Sequence, residues 1–140
     1  MSEQGGADEA LVRLTRPRTP DHIPGAGHGH RAMTSLLASG ARPTAVLASS
    51  DMIAAGVLRA VAEAGLRVPQ DISVIGFDDT LAEYLSPLLA TVRLPARELG
   101  ETAGRLAIDQ LEVKGAPRAA REELDAELVL RKSTGPAPTD

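Results

Sequence analysis

Two short apolar runs, each followed by polar residues, dominate the pattern of the middle of the chain. Residues 44–50 and 71–79 each contain a stretch of Ala, Val, Leu or Ile and end in serine or aspartate. Short apolar runs without alternation are typical of strands that are buried on both faces of a parallel sheet. The sequence therefore predicts two such strands, with polar side chains at the carboxyl end of each.

The segment between these two strands has the spacing of an amphipathic helix. Ile53, Val57 and Val61 recur every four residues, and a glycine follows that can end the helix in a left-handed conformation. Ser50 or Asp51 is expected to cap the start of this helix with a side-chain oxygen. Strand, helix and strand then form one βαβ unit, whose crossover is right-handed in nearly all proteins.

Further elements are predicted on either side of this unit. Their expected order is a helix ending near residue 39 with His30 in its first turn, then, after the unit, a strand at 91–93, a long helix over 95–115 and a strand over 126–131. Together these elements predict an α/β fold with a mainly parallel sheet and flanking helices.

The predicted long helix presents a stripe of apolar side chains that needs a surface to cover it. The stripe comprises Leu99, Ala103, Leu106 and Leu111. Its other side is charged, and Glu101 and Arg105 stand there at the favourable i, i+4 spacing. An apolar stripe that stays exposed marks an interaction surface or a risk of aggregation.

The first 26 residues are expected to be irregular. Pro17, Pro20 and Pro24 interrupt any regular period there, and residues 11–14 are a candidate for one short strand. Disorder is expected up to about His22. The sequence thus begins with an irregular segment over 1–26, ahead of the predicted helices and strands.

Asp78 is the first candidate for a ligand-binding residue. It follows the second predicted strand, and ligands of open α/β sheets bind in the crevice outside the carboxyl ends of the strands. An ionised carboxylate in that crevice can accept charge-assisted hydrogen bonds from hydroxyl groups or an amine. Ser50, Asp51 and Asp79 are weaker candidates at the same edge. The competing interpretation is a surface loop that carries solvated acids.

Composition narrows the range of partners. The chain has one Phe, one Tyr and no Trp, so it offers no aromatic platform on which a sugar ring or a base could stack. A net charge of −4 argues against broad affinity for nucleic acid. The absence of cysteine favours a cytoplasmic protein without disulfides or Cys-based zinc sites. No apolar run approaches the length of a membrane span, so no membrane contact is expected.

Metal binding and catalysis are both disfavoured by the residue pattern. His28 and His30 lie close together, but no Asp or Glu occurs between residues 23 and 37, so a helical, structural role for His30 is favoured over a zinc site. Asp78 and Asp79 are neighbours whose side chains would diverge, unlike the two opposed carboxylates of a glycosidase. We therefore expect no cofactor, no metal and no enzymatic activity.

Several ordered blocks of sequence resemble the effector-binding domain of the lactose/galactose repressor (LacI/GalR) family. The blocks are L-A-S-S-D-M-I-A-A-G-V-L-R-A from Leu47, A-G-L-R-V-P-Q-D-I-S-V-I-G-F-D-D from Ala64, Y-L-S-P from Tyr84, T-V-R-L-P from Thr91, E-L-G-E-T-A from Glu98, L-V-L-R-K-S from Leu128 and T-G-P from Thr134, after a weaker match near Gly29. The resemblance covers roughly residues 27–136, which it identifies as a partial effector- or ligand-binding domain, and it leaves a tail over 137–140.

The resemblance implies a transcription regulator whose periplasmic-binding-protein-like (type I) domain holds a small molecule between two lobes. The effector would be a sugar or a nucleoside-type compound, and this chain would supply the second lobe. The family also implies a homodimer that pairs through residues 53–63 and through Tyr84 and Leu85. DNA contact is expected only through a helix-turn-helix, a pattern that this chain lacks.

Two of the three cleft positions depart from the family's pattern. Sugar-binding members often carry Asn where this chain has Ser50, and Gln where it has Leu94, whereas Asp78 is kept. The loss of both amides implies an effector that is less polar than a typical sugar, or none. A solute-binding module related to periplasmic sugar-binding proteins, and a non-binding remnant or interaction module, are the alternatives that the sequence leaves open.

Overall fold

The computed structural model of the chain describes residues 12–14, 25–112 and 121–139. In chain order its elements are β1 (Val12–Leu14), α1 (Ala26–Ala38), β2 (Ala45–Ala48), α2 (Asp51–Glu63), β3 (Ser73–Ile75), a short 3₁₀ helix (Ala82–Tyr84), β4 (Thr91–Arg93), α3 (Ala96–Glu112) and β5 (Glu127–Val129).

The strands form one parallel and one antiparallel sheet. β2 lies between β1 and β3, both of which run parallel to it, with Val46 opposite Val74. β4 and β5 pair antiparallel. An isolated parallel bridge between Ile75 and Ala90 brings the chain just before β4 alongside β3. The α/β fold with parallel strands and flanking helices is thus confirmed.

The core lies between the parallel sheet and the helix pair α1 and α2. Its largest fully buried apolar side chains are Met33, Val46, Val57, Val61, Ile72, Val74 and Leu89. The stripe predicted for α2, which is Ile53, Val57 and Val61, is buried throughout. The four-residue spacing therefore identified correctly the face of α2 that packs inward.

Two glycines bring the backbones of α1 and α2 into direct contact. A methyl group built on Gly56 would overlap the carbonyl oxygen of Ala26, and one built on Gly29 would overlap the carbonyl oxygen of Ile53. Such an approach requires residues without a side chain on the facing surfaces. The pair is consequently packed more closely than two helices with ordinary side chains at the contact allow.

The start of α1 and the ends of the strands differ from the sequence prediction. α1 begins at Ala26, a turn earlier than expected, because close packing on α2 offsets the low helix propensity of its glycines. β2, β3 and β5 are shorter than predicted, since the polar residues that flank them belong to turns. Residues 12–14 form β1, which confirms the candidate strand predicted within residues 11–14 and corrects the expected disorder there. The rest of residues 1–24 lies outside the described residues.

α3 leaves its apolar side uncovered. None of its residues is buried, and Leu99, Ile108 and Leu111 are exposed. The expected pair of Glu101 with Arg105 is wrong, because Glu101 accepts a hydrogen bond from Arg97 and the Arg105 guanidinium instead bonds Glu122. The predicted end of this helix, beyond residue 112, lies outside the described residues.

Candidate functional site

The carboxyl end of β2 passes directly into α2 through Ser50. The backbone of Ser50 is extended, and its hydroxyl oxygen accepts a hydrogen bond of 3.2 Å from the backbone N–H of Ile53. The predicted helix cap is thus confirmed. The backbone N–H of Asp51 donates to the carbonyl oxygen of Phe77 at 2.9 Å, so the ends of β2 and β3 meet, as expected for neighbouring parallel strands.

Asp51 lies under this edge with a fully buried side chain, at 0% exposure. Its Oδ2 accepts hydrogen bonds from the backbone N–H groups of Leu81 and Ala82, each at 3.1 Å. Its Oδ1 accepts a bond of 2.7 Å from the hydroxyl of Thr91. Because both oxygens bond protein donors, this geometry favours a structural role for Asp51 over the effector contact predicted for it.

Asp78 lies at the mouth of the same edge and is partly exposed. Its backbone N–H donates to the carbonyl oxygen of Val92 at 2.9 Å. Its Oδ1 accepts from the backbone N–H of Thr80 at 3.0 Å and from the hydroxyl of Thr80 at 2.6 Å, as in an Asx turn. Its Oδ2 has no partner among the described residues and is available to a ligand.

Asp79 points into the protein instead. Its side chain is 8% exposed, and its two oxygens accept separate bonds, from Arg93 Nε at 2.7 Å and from Arg131 Nη1 at 2.8 Å. The bond from Arg131, together with that from Arg93, lowers the pKa of the Asp79 carboxyl although burial opposes the shift. This arrangement favours an ion-pair role for Asp79 over the direct effector contact predicted for it.

Sequence reasoning missed both arginines that bond Asp79. Arg93 ends β4, and Arg131 follows β5, which runs antiparallel to β4, so the two side chains reach Asp79 from opposite ends of this strand pair. The Arg131 guanidinium also donates to the carbonyl oxygen of Leu89 at 3.0 Å and to Glu83 Oε1 at 3.3 Å. Both arginines lie within sequence blocks that resemble the family, and this position was the one feature of the sequence that could have marked them as functional candidates.

A cavity of about 490 Å³ lies at the opposite end of the sheet. It is lined by Leu37, Gly40, Ala41, Arg42, Pro43, Thr44, Ala64, Leu66, Asp71 and Pro138. None of the four predicted site residues lines it. Its carboxylate, on Asp71, is already bonded by Arg67, whose side chain lowers the pKa of Asp71 to about 2.

His30 contacts a carboxylate of the neighbouring helix. Its Nε2 lies 2.6 Å from Oε2 of Glu63, and Glu63 also accepts from Arg59. Within the described ranges, no three His, Asp or Glu side chains come together as a metal-binding group. In the same part of the chain, no helix is both long and apolar enough to cross a membrane.

A parallel sheet whose strand ends collect polar side chains is the arrangement found in α/β folds that bind ligands at the carboxyl ends of their strands. The family model of the periplasmic binding protein-like domain matches residues 3–134. The chain belongs to this family and, within it, to the effector-binding domains of LacI/GalR-type regulators. The resemblance found in the sequence blocks is confirmed.

Individual relatives agree with this assignment. The chain is 43% identical over 111 residues to the HTH-type transcriptional repressor PurR of Erwinia tasmaniensis, covering 79% of this chain and 32% of that protein. A LacI family transcriptional regulator from Arthrobacter sp. FB24 in complex with lactose is 38% identical, with a TM-score of 0.70, covering 79% of this chain and 42% of the other.

The structure of a dimeric Lac repressor with an 11-residue C-terminal deletion is equally similar. It is 38% identical with a TM-score of 0.70, covering 82% of this chain and 42% of that chain. The chain spans about a third of the length of the curated relatives that it matches.

Proposed function

We propose that the chain is the ligand-sensing part of a LacI/GalR-type transcription regulator and that Asp78 is its main effector contact. The observation that carries the proposal is the unbonded Oδ2 of Asp78 at the edge where the ends of β2 and β3 meet. A carboxylate oxygen in that position can accept hydrogen bonds from the hydroxyl groups of a small, sugar-like molecule.

Beside Asp78, Ser50 offers a ligand one further polar group and Leu94 offers an apolar side chain. The hydroxyl oxygen of Ser50 accepts the cap bond from Ile53, so its proton is still free to be donated to a ligand. Leu94, which follows β4, adds an apolar side chain that is only partly buried. An effector with one or two hydroxyl groups and an apolar face fits this set better than a fully hydroxylated sugar.

Regulation is favoured over catalysis and over solute transport. The curated relatives are repressors, and the lactose-bound neighbour is a transcriptional regulator. The two adjacent aspartates do not form a catalytic pair, since Asp79 is held by two arginines and points away from the open edge.

Asp78→Ala is expected to weaken effector binding by about 1–3 kcal/mol, the cost of leaving the effector's donor group unpaired. Asp78→Asn is the sharper variant, because asparagine tolerates a left-handed backbone and keeps the acceptor for Thr80 while removing the charge. Calorimetric titration with lactose and a panel of sugars and nucleosides measures the effect. Asp125→Ala, which removes an exposed carboxylate, is the matched control. Unchanged affinity in both Asp78 variants would exclude this residue as the contact.

Self-association is proposed through the 3₁₀ helix, where the Tyr84 side chain is 85% exposed. Residues 53–63 contribute less than the sequence suggested, because most of that range packs into the core. Tyr84→Arg is expected to raise the dimer dissociation constant about tenfold or more, as truncation of a central aromatic contact does. Sedimentation velocity over a dilution series measures it, with Leu111→Arg on α3 as the matched change at an exposed apolar residue. A wild-type chain that stays monomeric throughout would contradict the proposal.

A further inference from the structure

The turn that presents Asp78 has an unusual backbone. Asp78 and Asp79 have φ values of 98° and 56°, and both therefore lie in the left-handed half of conformational space. Side-chain-bearing residues rarely adopt such values, and two in succession are rarer. A conformation of this kind costs free energy, so it persists only where the surrounding structure imposes it.

The surrounding structure acts on this turn through the side chain of Asp79. One carboxylate oxygen is bonded by Arg93 at the end of β4, and the other by Arg131 after β5. Arg131 is itself 10% exposed and is held further by the carbonyl oxygen of Leu89. The bond between Asp79 and Arg131 joins two nearly buried charged groups, so it is strong and only weakly screened by salt, whereas the Arg93 side chain is 46% exposed. Two separate segments of chain thus fix the direction of the Asp79 side chain.

The backbone of Asp78 has one further attachment, the bond from its N–H to the carbonyl oxygen of Val92. Arg93 is the next residue along β4. The left-handed turn is therefore fixed on one side by the main chain of β4 and on the other by the guanidinium groups that hold Asp79. Between these attachments, the Asp78 carboxylate is left at the open edge.

We infer that Asp79 is a positioning residue: bonded by Arg131 and Arg93, it holds the left-handed turn in which Asp78 presents its free oxygen to an effector. The inference rests on the proposed function for the role of Asp78. Arg131 and Arg93 share this positioning task, because each bonds one oxygen of Asp79.

The first test needs no ligand. Amide hydrogen exchange is measured by NMR for wild type, Asp79→Asn, Arg131→Gln and the double variant. The amides of Asp78 and Thr80 are expected to exchange about tenfold faster or more in each single variant than in wild type. The double variant should exchange no faster than either single variant, because both changes release the same turn. The amide of Val74, which donates to the carbonyl oxygen of Ser133, should be unchanged.

A matched control exists at the other end of β3. Arg67→Gln removes an ion pair to Asp71 with comparable bond lengths, 2.7 and 2.8 Å, far from the turn. This variant should leave the exchange of Asp78 and Thr80 as in wild type. Protection of these two amides that survives Asp79→Asn and Arg131→Gln would overturn the inference.

The second test is calorimetric affinity for the member of the sugar and nucleoside panel that wild type binds most tightly, measured alongside the unfolding midpoint. Asp79→Asn and Arg131→Gln should each weaken the binding of that compound about tenfold or more, non-additively, whereas Arg67→Gln should leave the affinity unchanged. Faster exchange with unchanged affinity for that compound would remove the positioning role. If wild type binds none of the sugars or nucleosides, the proposed function fails, and the exchange test still decides whether Asp79 sets the turn.

Discussion

Gly56→Ala is expected to lower the free energy of unfolding by about 3 kcal/mol, which would be a large effect for a single methyl group. The added carbon would overlap backbone atoms of Ala26 and His30, which cannot move aside as a flexible side chain can. α1 would have to shift away from α2 and open the core beneath both helices. Urea denaturation followed by circular dichroism measures the change.

Gly104→Ala is the matched control for this prediction. Gly104 lies within α3, and a methyl group built there meets no atom within 4 Å. The same substitution should therefore raise stability by about 0.5–1 kcal/mol, through the better helix propensity of alanine. Similar effects at the two glycines would show that the contact between α1 and α2 is not as close as described.

Asp51→Ala is expected to lower the free energy of unfolding by about 3–5 kcal/mol, because it leaves several donors in the protein interior without an acceptor. The donors are the backbone N–H groups of Leu81 and Ala82 and the hydroxyl of Thr91. Chemical denaturation measures the loss, and Asp51→Asn, which keeps one acceptor oxygen, should lose less.

Thr91→Val provides the control for Asp51. It leaves Oδ1 of Asp51 without its donor but keeps the acceptor of both backbone N–H groups, so a smaller loss of about 1–3 kcal/mol is expected. If Asp51→Ala destabilised the chain no more than Thr91→Val does, the carboxylate would not be the acceptor that organises this part of the molecule.

Local periodicity in the sequence correctly predicted those helices and strands that bury apolar side chains in the core. The four-residue spacing in α2 and the apolar runs of β2 and β3 depend on neighbours within a few residues, and these predictions held. The start of α1 did not follow, because its glycines are poor helix formers in isolation. A glycine of α1 is required by the close contact with α2, and a contact between two helices cannot be inferred from the sequence of one of them.

The grouping of the candidate site's carboxylates near one edge of the sheet was predictable from the sequence, but the hydrogen-bond partners of each were not. Asp51, Asp78 and Asp79 are chemically alike and all follow predicted strands. What distinguishes them is the partner of each, and the partners Thr91 and Arg131 stand 40 and 52 residues away from the aspartates that they bond. No periodicity over a short window can report such pairings.

The 3₁₀ helix that carries Tyr84 is attached to both ends of the candidate site. The backbone N–H of its first residue, Ala82, bonds Asp51, next to Ser50, and Glu83 bonds the arginine that holds Asp79. If the proposed effector binding and the proposed subunit pairing favour the same arrangement of this segment, the two are thermodynamically linked. Linkage is reciprocal, so the factor by which the effector strengthens pairing equals the factor by which pairing strengthens effector binding. Effector affinity would accordingly vary with the concentration of the protein itself.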